Sequence, residues 1–210
     1  MSPFRTLGKL LVLMGLTPCI VFAASESPVT ETQLAEKLRF YATIGTLEAD
    51  FHQVKDLKEL GMKMTSEGRL ILKRTDSVIW EVTKPARVKV ELGTTGIRIT
   101  SGEGATATVQ NFPIEQMPND KNTSSLHDLV AWLKLDAHAL STEYTITKTT
   151  SDHFVFTPKK VGPFKSMEMD LSGAGHLERL VLNETSGDEM IMTFARPRVR
   201  KTLPPHGSTP

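Results

Sequence analysis

The stretch Gly68–Pro85, GRLILKRTDSVIWEVTKP, alternates apolar and polar positions with a period of two. Leu70 and Leu72 point one way and Arg69, Ile71 and Lys73 the other, which is the mark of a strand. Thr75-Asp76-Ser77 supplies polar turn chemistry. Val78, Trp80 and Val82 then share a face opposite Ile79, Glu81 and Thr83. Pro85 has no N–H to give to a sheet ladder and ends the segment. The spacing predicts a hairpin with one apolar side. Arg74 falls by alternation on that apolar side. Either it turns out to water at the strand end, or it meets acceptors inside the protein, because a buried lone charge is costly.

The rest of the chain extends the pattern. Thr30-x-x-Gln33 is a capping-box signature, and Leu34, Leu38 and Tyr41 follow at helical spacing, predicting a helix over 31–43 that Gly45 ends. Leu47, Ala49 and Phe51 alternate with Glu48, Asp50 and His52, a strand with one buried face. A polar, Lys-rich stretch reaching Gly61 predicts a hairpin, and Met62 and Met64 open the next strand. Short strands are expected at 87–92, 96–101 and 105–110, with Gly93, Gly96, Gly102 and Gly104 in the turns. Pro113 and Pro118 mark a loop over 112–123. Ser124 and Ser125 offer an N-cap to a stripe of Leu126, Leu129, Val130 and Leu133, with Leu140 near the end of a second turn and helix. Strands return at 144–149, 153–158, 164–171, 177–184 and 189–195. From Arg196 a basic, Pro-rich tail is expected, either solvated or docked on an acidic partner or anionic headgroups.

Consecutive hairpins predict an antiparallel sheet with too few helices to cover it. Such a sheet closes on itself, or curls and leaves a concave apolar face. Three methionine pairs fall on apolar faces: Met62 with Met64, Met167 with Met169, and Met190 with Met192. They fill gaps in an ordinary β core, or they form a soft wall that adapts to a ligand.

Composition narrows the setting. The 210 residues are 39% hydrophobic and 23% charged, enough to bury a core. Arg5 and Lys9 precede an apolar run from Leu10 to Ile20 and small residues up to Ala23, which predicts a signal peptide over 1–23 and one domain over 24–210. The apolar run is short for a membrane anchor and holds Pro18. Pro18 before Cys19 departs from a lipidation site. Without residues 1–23 the basic residues fall from 25 to 23 against 24 acidic, a net charge of −1, and the one cysteine is lost. That balance carries no nucleic-acid footprint. A Cys-free exported chain relies on its core and fits a bacterial envelope compartment.

No reaction chemistry converges. The six histidines form no HExxH or HxH cluster, and there is no GxSxG elbow, phosphate loop or GxGxxG. His127-Asp128 and Asp136-x-His138 read as a solvated helix face. Glu67 with Glu81, or Glu48 with Asp50, could pair as carboxylates, but nothing distinguishes them from strand-surface acids. No enzyme, cofactor or metal site is expected.

Four segments, in order, resemble one family. They are Leu47-x-Ala49-x-Phe51-x-Gln53; Gly68-Arg69-Leu70 through Lys73-Arg74, Trp80 and Thr83-Lys84-Pro85; His153-Phe154-Val155-Phe156-Thr157-Pro158-Lys159; and Leu203-Pro204-Pro205-His206-Gly207. Together they are similar to the bacterial outer-membrane lipoprotein carrier (LolA) family. Thr75 replaces the usual proline after the arginine, and Gly93-Thr94-Thr95-Gly96-Ile97-Arg98 lacks the family's D-G pattern, so the resemblance is to a divergent member. It implies a mainly β fold, a curled antiparallel sheet forming an incomplete half-barrel, with a helical lid over an apolar cavity. It also implies a monomeric periplasmic carrier of acylated lipoproteins, loaded by an inner-membrane donor complex and unloaded at an outer-membrane acceptor. On this reading Leu47, Phe51, Leu70, Leu72, Val78, Trp80, Met167, Met169, Met190 and Met192 line the cavity, and Arg74 gates the lid. A dedicated carrier of another envelope lipid or glycolipid, and a lipid- or peptide-sensing module on the same fold, are the alternatives.

Overall fold

The computed structural model describes residues 26–73, 77–93, 95–113 and 135–201. One antiparallel sheet of 12 strands runs through them, in the order β1-β8-β9-β10-β11-β12-β2-β3-β4-β5-β6-β7. The strands are β1 (Ser27–Pro28), β2 (Ile44–Leu57), β3 (Met62–Lys73), β4 (Ser77–Lys84), β5 (Val88–Leu92), β6 (Gly96–Ser101) and β7 (Thr108–Pro113), then β8 (Tyr144–Lys148), β9 (His153–Pro158), β10 (Phe164–Leu171), β11 (Leu177–Glu184) and β12 (Glu189–Lys201). The helices are α1 (Glu31–Lys37), α2 (Arg39–Thr43) and α3 (Ala137–Glu143). The sheet ends at β1 and β7 and is not closed into a barrel.

Alternation decides which face each residue takes. β2 and β3 pair without a break from Thr46 opposite Lys73 to Leu57 opposite Met62. Leu47, Ala49 and Phe51 therefore share the inward face with Leu70 and Leu72. The hairpin turns through Lys58–Leu60, with Gly61 left-handed at φ 60, a conformation glycine takes without steric cost. Gly68 is needed for another reason. It lies opposite Phe51 beside a bulge between β3 and β4, and a Cβ there would stand 1.9 Å from the Glu81 carbonyl oxygen and 2.8 Å from Phe51 Cζ. Phe51 in turn meets Trp80 edge-on, with centroids 5.7 Å apart.

The helices roof the inward face. Thr30 and Gln33 close the expected capping box at the start of α1. The helix predicted over 31–43 is two short ones, broken at Leu38. Asp136 caps α3 by accepting the N–H groups of His138 (2.9 Å) and Ala139 (3.0 Å). Leu34, Leu38, Tyr41 and Leu140 enter one buried cluster with Leu47, Phe154, Phe156, Leu180 and Leu182.

Three expectations need correction. The tail predicted from Arg196 is strand as far as Lys201: after a bulge at Ala195/Arg198, β12 pairs β2 again, with Arg198 opposite Glu48 and Val199 opposite Leu47. Two of its bases are paired with acids of β2. Arg196 Nε lies 2.6 Å from Asp50 and Arg198 2.8 Å from Glu48, while Arg69 joins Glu48 (3.5 Å) to Glu81 (2.7 Å). Met62 and Met64 do not join the core. They keep the parity of Leu70, but the hairpin carries them past the roof, 49% and 53% exposed. The strand expected at 105–110 is Thr108–Pro113, because residues 104–106 form a 3-10 turn. Residues 1–23, Arg74, the stripe Leu126–Leu133 and the Leu203–Gly207 segment lie outside the described residues.

Candidate lipid-binding site

The residues named as cavity lining come together on the inward face. Leu47, Phe51, Leu70, Leu72, Val78, Met167, Met169 and Met192 are buried in one cluster, and Trp80 and Met190 pack half-buried against it. Register explains the grouping: Met167 and Met169 of β10 lie opposite Leu182 and Leu180, which lie opposite Met190 and Met192 of β12. The space between sheet and roof is small here. A hollow of about 20 Å³ lies among Tyr41, Leu47, Leu70, Leu72, Leu135 and Phe194, room for roughly one water.

Polar ties hold the roof in place. The Tyr41 hydroxyl accepts the Leu177 N–H of β11, and burial pushes its pKa from 10.0 up to about 12. Lys37 reaches Asp152 at 3.0 Å, and His138 of α3 meets Glu31 of α1 at 3.1 Å.

The inward face of β2 also carries a polarity gradient. Leu47, Ala49 and Phe51 are followed at the same parity by Gln53 and Lys55, which lie opposite Met192 and Met190. Gln53 Oε1 is buried and has no hydrogen-bond partner, and the same holds for Trp80 Nε1. Lys55 Nζ pairs with Glu184 at 2.8 Å, with side chains 31% and 20% exposed. Sequence reasoning passed over both. Gln53 stood in a recognised motif and the alternation that buries Phe51 extends to Lys55, but Glu184 lies 129 residues away.

The outer face has a different character. A groove of about 600 Å³ is bordered by Asp50, His52, Glu67, Arg69 and Arg196. Its acids are engaged: Asp50 by Arg196 and Glu67 by Lys84 at 2.9 Å. The carboxylates weighed as acid–base pairs, Glu48, Asp50, Glu67 and Glu81, are therefore members of ion pairs. The hydrogen bond from Lys84 holds the Glu67 carboxyl below its ordinary range, and the hydrogen bond to Glu81 holds the Arg69 guanidinium above its own. Among the described residues no group of three or more His, Cys, Asp or Glu could hold a metal ion. No described helix is long and apolar enough to cross a membrane.

Comparison with known proteins places this architecture. The chain is similar to a DUF1329 family protein from Desulfovibrio piger, at 10% identity over 85% of this chain and 93% of that one, with a TM-score of 0.47. A LolA superfamily protein from Nitrosomonas europaea matches at 10% identity over 84% and 96%, with a TM-score of 0.42. LprF from Mycobacterium bovis matches at 10% identity over 85% and 98%, with a TM-score of 0.43. No curated protein matches the chain at a significant level. The family described as Outer membrane lipoprotein carrier protein LolA matches residues 42–206, from the end of α2 through the last strand. With that span covering most of the roofed sheet, the chain belongs to the LolA family.

Proposed function

We propose that this protein is a monomeric periplasmic carrier, a single domain over 24–210, that shields the acyl chains of lipoproteins between the inner and the outer membrane. It performs no reaction of its own. A donor complex loads it at the inner membrane and an acceptor relieves it at the outer one. The observation that carries this reading is the continuous apolar inward face, Leu47 to Phe51 on β2, Leu70 and Leu72 on β3, and Met167 to Met192 on β10–β12, covered by short helices rather than by a second sheet.

The physical problem is to move hydrocarbon through water. Each CH₂ withdrawn from water contributes roughly 0.8 kcal/mol, so exposing several long chains would cost tens of kcal/mol. A cluster whose roof is held by side chains can exchange one apolar neighbour for another. When Leu34, Leu38 and Tyr41 lift, acyl chains take their place against Leu47 and Met192. The surface buried is similar in both states. The difference left to overcome is set by a few polar ties such as Tyr41 to Leu177, about 1 kcal/mol each. Ligand then shifts the population toward the lifted state. Following the family resemblance, Arg74 sets that balance.

Native mass spectrometry of the protein taken from its own periplasm tests the reading. Acylated protein bound to the wild-type chain is expected, with more of it retained by Arg74→Leu. Protein that carries no acyl chain would overturn the carrier role, and free lipid or glycolipid would replace its cargo. The Lys55–Glu184 pair favours attention to that second outcome, because a charged end suits a lipid headgroup.

A further inference from the structure

We infer that the groove between α1 and the β8–β9 turn binds a fatty-acid anion, with Lys148 as the countercharge to its carboxylate. This site is separate from the lining under the roof and does not depend on the carrier reading.

Strand parity places the lysine. On β8, Tyr144 and Ile146 are buried, and Lys148 follows at the same inward parity, half-buried. It lies opposite Phe154 of β9 on one side and Ser27 of β1 on the other. Among the described residues the half-buried basic side chains are Lys55, Lys89, Lys148 and Arg179. Lys55 pairs with Glu184 at 2.8 Å, Lys89 with Glu91 at 2.7 Å and Arg179 with Asp170 at 3.2 Å. Lys148 has no described acid within ion-pair distance. The acids that border or flank the groove are engaged elsewhere, Glu36 by Arg39 at 3.4 Å and Asp152 by Lys37 at 3.0 Å. A partly desolvated charge without a partner is costly, so an anion arriving there is favoured.

The groove offers that anion a place for a tail. It holds about 390 Å³ and is lined by the apolar Val29 and Phe154, by Gln33 and Glu36 of α1, and by Lys148 and Ser151. Leu34 of the same helix belongs to the roofed cluster and not to the groove. At 3.6 residues per turn, Leu34 points away from the side that carries Gln33 and Glu36. The volume stands near the small end of ligand sites, room for one chain rather than two. One unmatched ammonium suits one negative charge. Lys37 also lines the groove, but Asp152 already holds it, so a dianionic phosphate monoester would keep one charge uncovered. A fatty-acid anion meets each condition: one chain for the apolar lining, and one carboxylate for Lys148.

Decanoate and decanol share a tail and differ in charge. Each is titrated calorimetrically into the full chain at neutral pH and below the micelle concentration of decanoate. Decanoate is expected to bind about tenfold more tightly than decanol. Lys148→Met, which keeps an apolar stem and removes the charge, should bring decanoate within about twofold of decanol. Lys148→Arg should restore the difference. Equal wild-type affinities for the two ligands would overturn the inference, and so would decanoate binding that Lys148→Met leaves unchanged. Nitrogen–proton correlation spectra of the wild-type chain locate the site without a variant. Decanoate should shift the amides of Val29, Gln33 and Ser151. Shifts confined to Leu47, Leu70 and Met192 would put the tail under the roof, overturning this site while supporting the carrier reading. Failure of decanoate to bind at all would overturn the site and leave the carrier reading to its own test.

Discussion

Tyr41 ties the roof to β11 through one buried hydroxyl. Its pKa lies near 12 in the folded protein because burial disfavours the phenolate; in the unfolded chain it has its ordinary value of about 10. The neutral form is thus the one the fold favours. Its contribution is complete below pH 10 and disappears as pH rises from 10 to 12. Fully lost, it amounts to roughly 2–3 kcal/mol. Urea titrations at pH 9, 10 and 11 should show this loss in the wild-type chain and a flatter profile in Tyr41→Phe. The variant should begin about 1–3 kcal/mol lower, because Leu177 N–H loses its acceptor. Parallel profiles for the two proteins would mean that Tyr41 is not the group responsible. Nothing around Leu38-Arg39-Phe40-Tyr41 in the sequence announces this tie. The tyrosine is legible as one member of a helical stripe, but its partner is a backbone N–H at residue 177, which no pattern of side chains reveals.

At the scale of elements, hydropathy alternation located the strands well wherever one face is buried and the other wet. β10 and β11 match their expected ranges because Met167, Met169 and Leu171 alternate with Glu168 and Asp170. It failed where parity and burial part company. Met62, Met64 and Met192 look alike in sequence, yet Met192 is 2% exposed and Met64 53%. Met192→Ala should cost about 2–5 kcal/mol through the cavity it leaves. Met64→Ala should stay within about 0.5 kcal/mol, as an exposed site does. Urea midpoints measured side by side decide it, and equal losses would contradict the burial of one and the exposure of the other. The second half of β12 was hidden for another reason. Pro197 and a run of basic residues resemble a loose terminus, but the bulge at Arg196, φ 52, restores pairing beyond them. Acids on β2 supply the countercharge that lets those arginines lie on a sheet.

For the whole molecule, carriage requires that roof and sheet come apart separately. The described helices of the roof are short, each below the length at which an isolated helix is stable. The central strands β11, β12, β2 and β3 are paired on both sides. Native-state hydrogen exchange should therefore find amides of residues 34–43 exchanging through an opening that leaves those of Phe51 and Leu180 protected. Exchange of both sets at one common free energy would show that the roof lifts only when the sheet unfolds, and carriage by this route would fail. The half-barrel outline was legible before any coordinates, from consecutive hairpins and scarce helices. The change from apolar to polar along its inward face was not, because it depends on which strands from distant parts of the chain become neighbours.

That neighbourhood has a consequence for how the molecule is made. β12 lies between β11 and β2, so the last strand is the seam joining the first hairpins to the later ones. Until Glu189–Lys201 has been synthesised, β2 and β11 each keep a bare margin of N–H and C=O groups, and such margins recruit foreign strands. Synthesis from the N-terminus therefore holds two unfinished leaves apart until Glu189–Lys201 stitches them together.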